Sequence, residues 1–394
     1  MVGRGRARCS LLPPAARNNR RLVGVAAGMW ESVVIGAGQA GLSAAHHLQR
    51  LGVQTVVLDA NPAPGGAWQH RWDSLSMHDV HGVSDLPGLA SPGYSTTVRA
   101  NQAVPDYFAR YEAHFDLAVQ RPVSVRAVHR VDDDPAGPLR VEAGDQSWLT
   151  RTIINATGTW NSPFWPHYPG RGQFRCRQLH TANYTGPDEF AGQHVLVVGG
   201  GLSAVQTIGE LAHVAHTTWV TRRPPTWRSN EFDPDAGRRA VALVEDRVRR
   251  GLPPRSVVSV TGLMLRPQEQ FASTLGRYRA RPMFERITET GVAWADGTAL
   301  EVDVILWATG FRPSINHLRP LGLRNEHGGI TLLAPYDSHA YVTAARDRRV
   351  QFVGYGPSAS TIGANRAGRA AALAVRDQLR GGQVATSLVS VTSR

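Results

Sequence analysis

Two glycine-rich turns, far apart in one chain of 394 residues, carry the residue types and spacing best suited to chemistry. The first runs Val33-Val34-Ile35-Gly36-Ala37-Gly38-Gln39-Ala40-Gly41. The second runs Val195-Leu196-Val197-Val198-Gly199-Gly200-Gly201-Leu202-Ser203-Ala204. Each joins a β-branched run to a small-residue helix start. That geometry aims unpaired helix N–H groups, and the positive end of the helix dipole, at a pyrophosphate. In the first turn Gly36 makes the bend and Gly38 lets backbone approach phosphate, while Gly41 lets the helix pack close to the strand. Two such cradles imply two dinucleotides, one resident and one delivering electrons to it.

The residue that closes each unit differs. Asp59 lies 23 residues after Gly36, near the roughly 20 expected of the acid that binds a ribose hydroxyl. Arg222-Arg223 stands at the same distance after Gly199. Arginine there suits a 2′-phosphate that an acid would repel, so the second nucleotide reads as NADP(H) rather than NAD(H). The alternative is a pair of solvated loop charges.

The elements around these turns follow from pattern. Glu31 to Ile35 reads as a strand, Gln39 to Leu51 as a helix closed by Gly52, and Val53 to Leu58 as the next strand. The unit repeats as strand His194 to Val198, helix Ser203 to His213 and strand His216 to Thr221. Two further strands run into small-residue turns, Thr152 to Gly158 and Val302 to Phe311, and they bracket the second unit. Asp296-Gly297 is a hairpin turn just before the second of them. Strand Val350 to Gly354 and helix Ala364 to Leu379, stopped by Gly381-Gly382, would complete the first unit. An amphipathic helix is expected around Ala236–Arg250, within an arginine- and proline-rich stretch.

The fold class expected is α/β: two Rossmann-like, three-layer dinucleotide-binding domains, the second inserted into the first. The boundaries expected are a basic disordered leader at 1–28, a first domain at 29–157 and 309–384, a second at 158–308, and a tail at 385–394.

Composition narrows the function classes. All 43 basic side chains are arginine, so no lysine can form a Schiff base. The formal charge is +12, but Arg4, Arg6, Arg8, Arg17, Arg20 and Arg21 crowd the leader. No nucleic-acid recognition motif accompanies them. No apolar run is long enough to span a bilayer. Cys9 and Cys176 are the only cysteines, so no Cys-x-x-Cys can run dithiol chemistry. They suit a reducing, cytoplasmic compartment. His78 and His81 flank Asp79 without a further ligand cluster, and no metal is expected.

From about Trp30 to about Leu379 the chain resembles the flavin-containing monooxygenase superfamily. The likeness rests on the first fingerprint with Asp59, on Gly65-Gly66-Ala67-Trp68, on the second fingerprint through Ser203-Ala204, and on Ala308-Thr309-Gly310-Phe311. Phe174, His180 and Tyr184 match the family signature, with Cys176 where the family has glycine. Tyr184-Thr185 departs from Baeyer–Villiger members. Arg71 to His78 is similar to the flavin-proximal segment of plant auxin-forming and bacterial single-component members. Tyr355 after Gly354 departs from the disulfide reductases.

The resemblance implies FAD in the first cradle and NADPH in the second. It adds Gly66, Trp68, Thr309, Gly310 and Gly354 to the cofactor-binding residues, with plain core packing as the alternative for Trp68. It implies an FAD-dependent monooxygenase in which O2 forms a C4a-hydroperoxyflavin that oxygenates a small organic substrate. His180 is then a candidate for positioning the nicotinamide nucleotide or the inter-domain linker, and His78 for bonding the flavin or a peroxide. An NADPH oxidase or flavin reductase without oxygen transfer, and a flavin-binding regulatory protein without turnover, stand as alternatives. A homodimer is compatible with the sequence.

Overall fold

The structure is a computed structural model that describes residues 28–80, 83–228, 234–254, 262–333 and 338–391. All but the last residue of the expected leader, and His81, lie outside these ranges. In chain order the strands are β1 (Trp30–Ile35), β2 (Thr55–Leu58), β3 (Val119–Gln120), β4 (Ala127–Arg130), β5 (Leu139–Ala143), β6 (Gln146–Asn155), β7 (Arg177–His180) and β8 (His194–Val198). They continue as β9 (His216–Thr221), β10 (Arg281–Pro282), β11 (Arg286–Ile287), β12 (Gly291–Ala293), β13 (Ala299–Glu301), β14 (Val304–Trp307) and β15 (Val350–Phe352). The helices are α1 (Gln39–Arg50), α2 (Ala100–His114), α3 (Leu202–Leu211), α4 (Pro234–Arg249), α5 (Gln270–Thr274) and α6 (Thr361–Val391).

The first sheet has a parallel core in the order β3-β2-β1-β6-β15, with β1 in register against both β2 and β6. Strand β6 is long enough to serve two neighbours on one edge. Its start pairs antiparallel with β5, and its end pairs parallel with β15. The run Val33-Val34-Ile35 is buried on both faces, as a parallel strand between two layers must be. Helices α1 and α6 cover one face through Ala44, Ala45, Leu48, Ala367, Ala371 and Val375. The segment from Ile315 to Leu332 and the β4–β5 hairpin cover the other.

The second sheet is parallel throughout, in the order β10-β9-β8-β14-β7. All its strands lie between β6 and β15 in sequence, so one dinucleotide domain is inserted into the other. The ribbon β11-β12-β13 hangs on it, and Asp296-Gly297 turns β12 into β13 with Gly297 at φ +87°.

Two features differ from the sequence expectation. Helix α6 runs through Gly381-Gly382 to Val391 instead of stopping near Leu379. Packing on α1 holds its first half, and continuing an existing helix through glycine costs only about 1 kcal/mol per residue. Helix α4 lies within the inserted stretch yet packs on the first domain. Val248 joins the core of Leu323, Ile330 and Tyr355.

Candidate active site

The two glycine turns repeat each other in three dimensions. Gly36 has φ +103° and Gly199 φ +137°, both in the region that glycine alone adopts easily. A Cβ on Gly36 would lie 2.6 Å from the Ala156 carbonyl oxygen, and one on Gly199 would lie 2.2 Å from that of Ala308. Each turn is therefore pressed against the strand that leaves its own domain. Gly41 is tighter still, with its Cβ position 1.8 Å from the Gly36 oxygen. At the corresponding place α3 carries the buried Ala204.

Gly38 is the N-cap of α1 and Gly201 that of α3. Neither helix has a side-chain cap or an acid in its first turn. Their first amides are left for an anion. Gly201 has nothing within 4 Å of its Cβ position. Both cradles thus fit the phosphates of a dinucleotide.

The other expected cofactor residues fall around these turns. Ala37 and Ala40 are buried in the first core. Gly66, at φ +53°, rests on Gly38, which its Cβ would approach to 2.8 Å. Gly354, at φ +70°, closes β15 beside Ala40. Leu202 and Ser203 open α3. The Gln39 amide donates to the Ser84 carbonyl and to Asn365 Oδ1 and so ties α1 to its own domain. Asp59 directly follows β2 where expected, but its carboxylate already accepts from Asn61 N and Nδ2 and, at 3.3 Å, from Arg121 Nε. Arg121 in turn forks onto Glu112 at 2.7 and 2.6 Å. Arg222 and Arg223 follow β9, both exposed and without an ion pair among the described residues.

The chain crosses between domains twice, and the crossings lie side by side. Pro163 bridges Phe311, Thr157 donates its hydroxyl to the Ser314 carbonyl at 2.7 Å, and Ser162 and Ser314 share a hydroxyl bond. The Thr309 hydroxyl donates to the Phe164 carbonyl, so it fastens the crossings together. His180 is fully buried beside them. Its Nδ1 accepts from the Ala182 N–H at 3.0 Å, so Nε2 carries the proton and donates to the Gly310 carbonyl at 3.0 Å. Burial holds its pKa below the usual histidine value, which keeps this neutral tautomer. His78, in contrast, is exposed.

Cys176 is exposed and its φ is not positive, so cysteine replaces the signature glycine without backbone strain. The aromatic side chains that follow the first crossing divide in two. Trp160 stacks on Phe311 at 5.0 Å, whereas Tyr168 packs at 4.8 Å on Phe284 in the second domain's core.

Sequence reasoning missed the contact that fixes the domains against each other. Glu210 on α3 accepts from Trp72 Nε1 at 2.7 Å, Ser74 Oγ at 2.6 Å and Tyr184 Oη at 3.0 Å. Burial pushes its pKa up, and these three bonds oppose the rise. Close by, the Asp79 carbonyl accepts from Gln206 Nε2 and Arg266 Nη1. Segment 71–79, which leaves the first glycine cradle, is thereby pinned along the inserted domain. A lone glutamate in an amphipathic helix gives no sequence signal of such a role. Trp68 completes the junction, packing against the cores of both domains.

Two phosphate cradles on two parallel sheets, joined by paired crossings, define a flavoprotein oxidoreductase built for two dinucleotides. A family model described as pyridine nucleotide-disulphide oxidoreductase matches residues 33–256. The solved flavin-containing monooxygenase from Stenotrophomonas maltophilia is 35% identical, with TM-score 0.74, covering 89% of this chain and 98% of its own. An uncharacterized oxidoreductase, CzcO, from Bacillus subtilis is 25% identical, over 77% of this chain and 87% of that protein. An indole-3-pyruvate monooxygenase from Oryza sativa subsp. japonica is 28% identical, over 72% and 77%. The chain belongs to the flavin-containing monooxygenases, within the pyridine nucleotide-disulphide oxidoreductase family. The cofactor pair expected from the sequence, FAD and NADPH, is the pair this family membership supports. No helix among the described residues is long and apolar enough to cross a membrane.

Proposed function

We propose that the protein takes electrons from NADPH and inserts one atom of O2 into a small organic substrate on bound FAD. The observation that carries this reading is the juxtaposition of the two cradles across Trp68 and the paired crossings. Flavin, when bound, supplies hydride acceptance and oxygen activation.

The chain's own residues then bind, orient and exclude water. Gly36 to Gly41 and the amides of α1 would hold the FAD pyrophosphate, with Asp59 at the ribose end and Gly66 and Gly354 flanking. Gly199 to Ala204 would hold the NADPH pyrophosphate, and Arg222-Arg223 its 2′-phosphate. His180, neutral and bonded at both nitrogens, positions the linker at Gly310. Glu210 holds segment 72–74 against the inserted domain. Trp68, Trp160 and Phe311 give the junction apolar walls that exclude water.

The test is stoichiometric. Purified protein is reduced anaerobically with NADPH and then given oxygen with a panel of sulfides, amines and keto acids. Oxygenated product approaching one per NADPH, with little hydrogen peroxide, is expected. Peroxide equal to NADPH with every substrate, and no product, makes the protein an oxidase.

A further inference from the structure

Arg71 is a partly buried cation with no counter-ion among the described residues. Its guanidinium lies over two indoles, 5.5 Å from the ring centre of Trp68 and 4.8 Å from that of Trp160. Its Nε is shut off from solvent and bonds to nothing, and the side chain makes no ion pair among the described residues. The acids nearby are engaged elsewhere. Asp73 pairs with Arg99 and Asn101, Asp79 accepts from Ser76, and Glu210 takes its three donors. The forked end of the guanidinium is not closed in by any of them. It sits at the domain junction, since Trp68 touches both cores and Trp160 stacks on Phe311 at the second crossing.

A desolvated charge without a partner is costly unless a ligand supplies the opposite charge. A flat guanidinium held between indole faces presents two parallel N–H groups, which match the two oxygens of a carboxylate. The anionic groups of both nucleotides already have places, the pyrophosphates at α1 and α3 and the 2′-phosphate at Arg222-Arg223. We propose that Arg71 anchors the carboxylate of the oxygen-accepting substrate, so that the preferred substrates are organic acids. This deepens the functional reading above and rests on its assignment of the two cradles.

The test uses the purified holoenzyme and binding rather than turnover. Acetate, benzoate and phenylacetate are titrated against acetamide, benzamide and phenylacetamide, following tryptophan fluorescence and calorimetry. At least one acid binds tenfold or more tightly than its amide, and salt weakens it. Arg71→Gln erases the preference by roughly ten- to a hundredfold while leaving the KM for NADPH unchanged, and Arg71→Lys keeps part of it. No acid-over-amide preference in the wild-type protein overturns the proposal without any variant having to fold. So does a preference that survives in Arg71→Gln, or a loss confined to NADPH affinity. A protein that turns all its NADPH into peroxide yet binds benzoate through Arg71 refutes the monooxygenase reading and leaves the anion anchor standing.

Discussion

At the scale of residues, the two glycine turns separate folding from ligand approach. At Gly41 any side chain meets the Gly36 oxygen, with the Cβ only 1.8 Å away. Gly41→Val is expected to yield colourless protein, because helix and strand cannot close the cradle. A yellow variant with one flavin per chain contradicts this. Gly201 is different, because its backbone is extended and nothing lies within 4 Å of its Cβ position. Gly201→Ala should leave Tm within a degree or two while raising the KM for NADPH about tenfold or more, since only a close phosphate feels the methyl. Equal losses of Tm and affinity would show that the fold, not the ligand, needs that glycine. Arg222 and Arg223 have no ion-pair or hydrogen-bond partner among the described residues. Arg222→Ala should raise the KM for NADPH by roughly 10- to 100-fold, as expected for losing a charge-assisted phosphate contact, and spare NADH. Equal effects on both coenzymes would place the 2′-phosphate elsewhere.

At the scale of elements, α3 both cradles a phosphate at its N-terminus and clamps the other domain at Glu210. Glu210→Ala strands the Trp72 indole N–H and the Tyr184 hydroxyl at a buried junction. A loss of about 2–4 kcal/mol in denaturant unfolding is expected, with more peroxide released per NADPH. Glu210→Gln keeps an acceptor for Trp72 and can donate to a hydroxyl, so its loss should stay below about 1.5 kcal/mol. If the two variants unfold alike and remain fully coupled, the clamp is not what orders the junction. Helix α4 shows the same economy of sequence, since an inserted segment returns to seal the first domain's core through Val248.

At the scale of the whole molecule, buried histidines are expected to weaken the fold in acid. His317 donates from Nε2 to Asn155 Oδ1 at 2.8 Å, at the end of β6, and burial lowers its pKa to about 4. The unfolded chain takes up the proton near 6.5, so it binds more protons than the folded chain between 6.5 and about 4. Stability from this site is therefore full above pH 6.5 and is lost as pH falls towards 4, on the order of 3 kcal/mol in all. Thermal unfolding should show Tm falling across that window. His317→Gln should start lower at pH 7.5 and fall less steeply. Parallel slopes for the two proteins would assign the acid limb to other groups, His47 among them.

What the sequence determined by itself was local or periodic. The strand–turn–helix units at Gly36 and Gly199, the hairpin at Asp296-Gly297, and the small-residue turns at Ala156 and Ala308 were legible, because their chemistry is written within about 25 neighbouring residues. The contrast between Asp59 and Arg222 was legible for the same reason. The end of α6 was not, because glycine disfavours a helix only when packing does not already hold it. Nor were the clamp at Glu210, the seat of α4, the neutral tautomer of His180 or the unpaired charge of Arg71. Each depends on which distant groups reach a side chain in the folded molecule. Glu210 meets its partner Trp72 across 138 positions of sequence, and His180 meets Gly310 across 130. Burial and counter-charge are properties of that assembled neighbourhood, so only the tertiary structure could decide them.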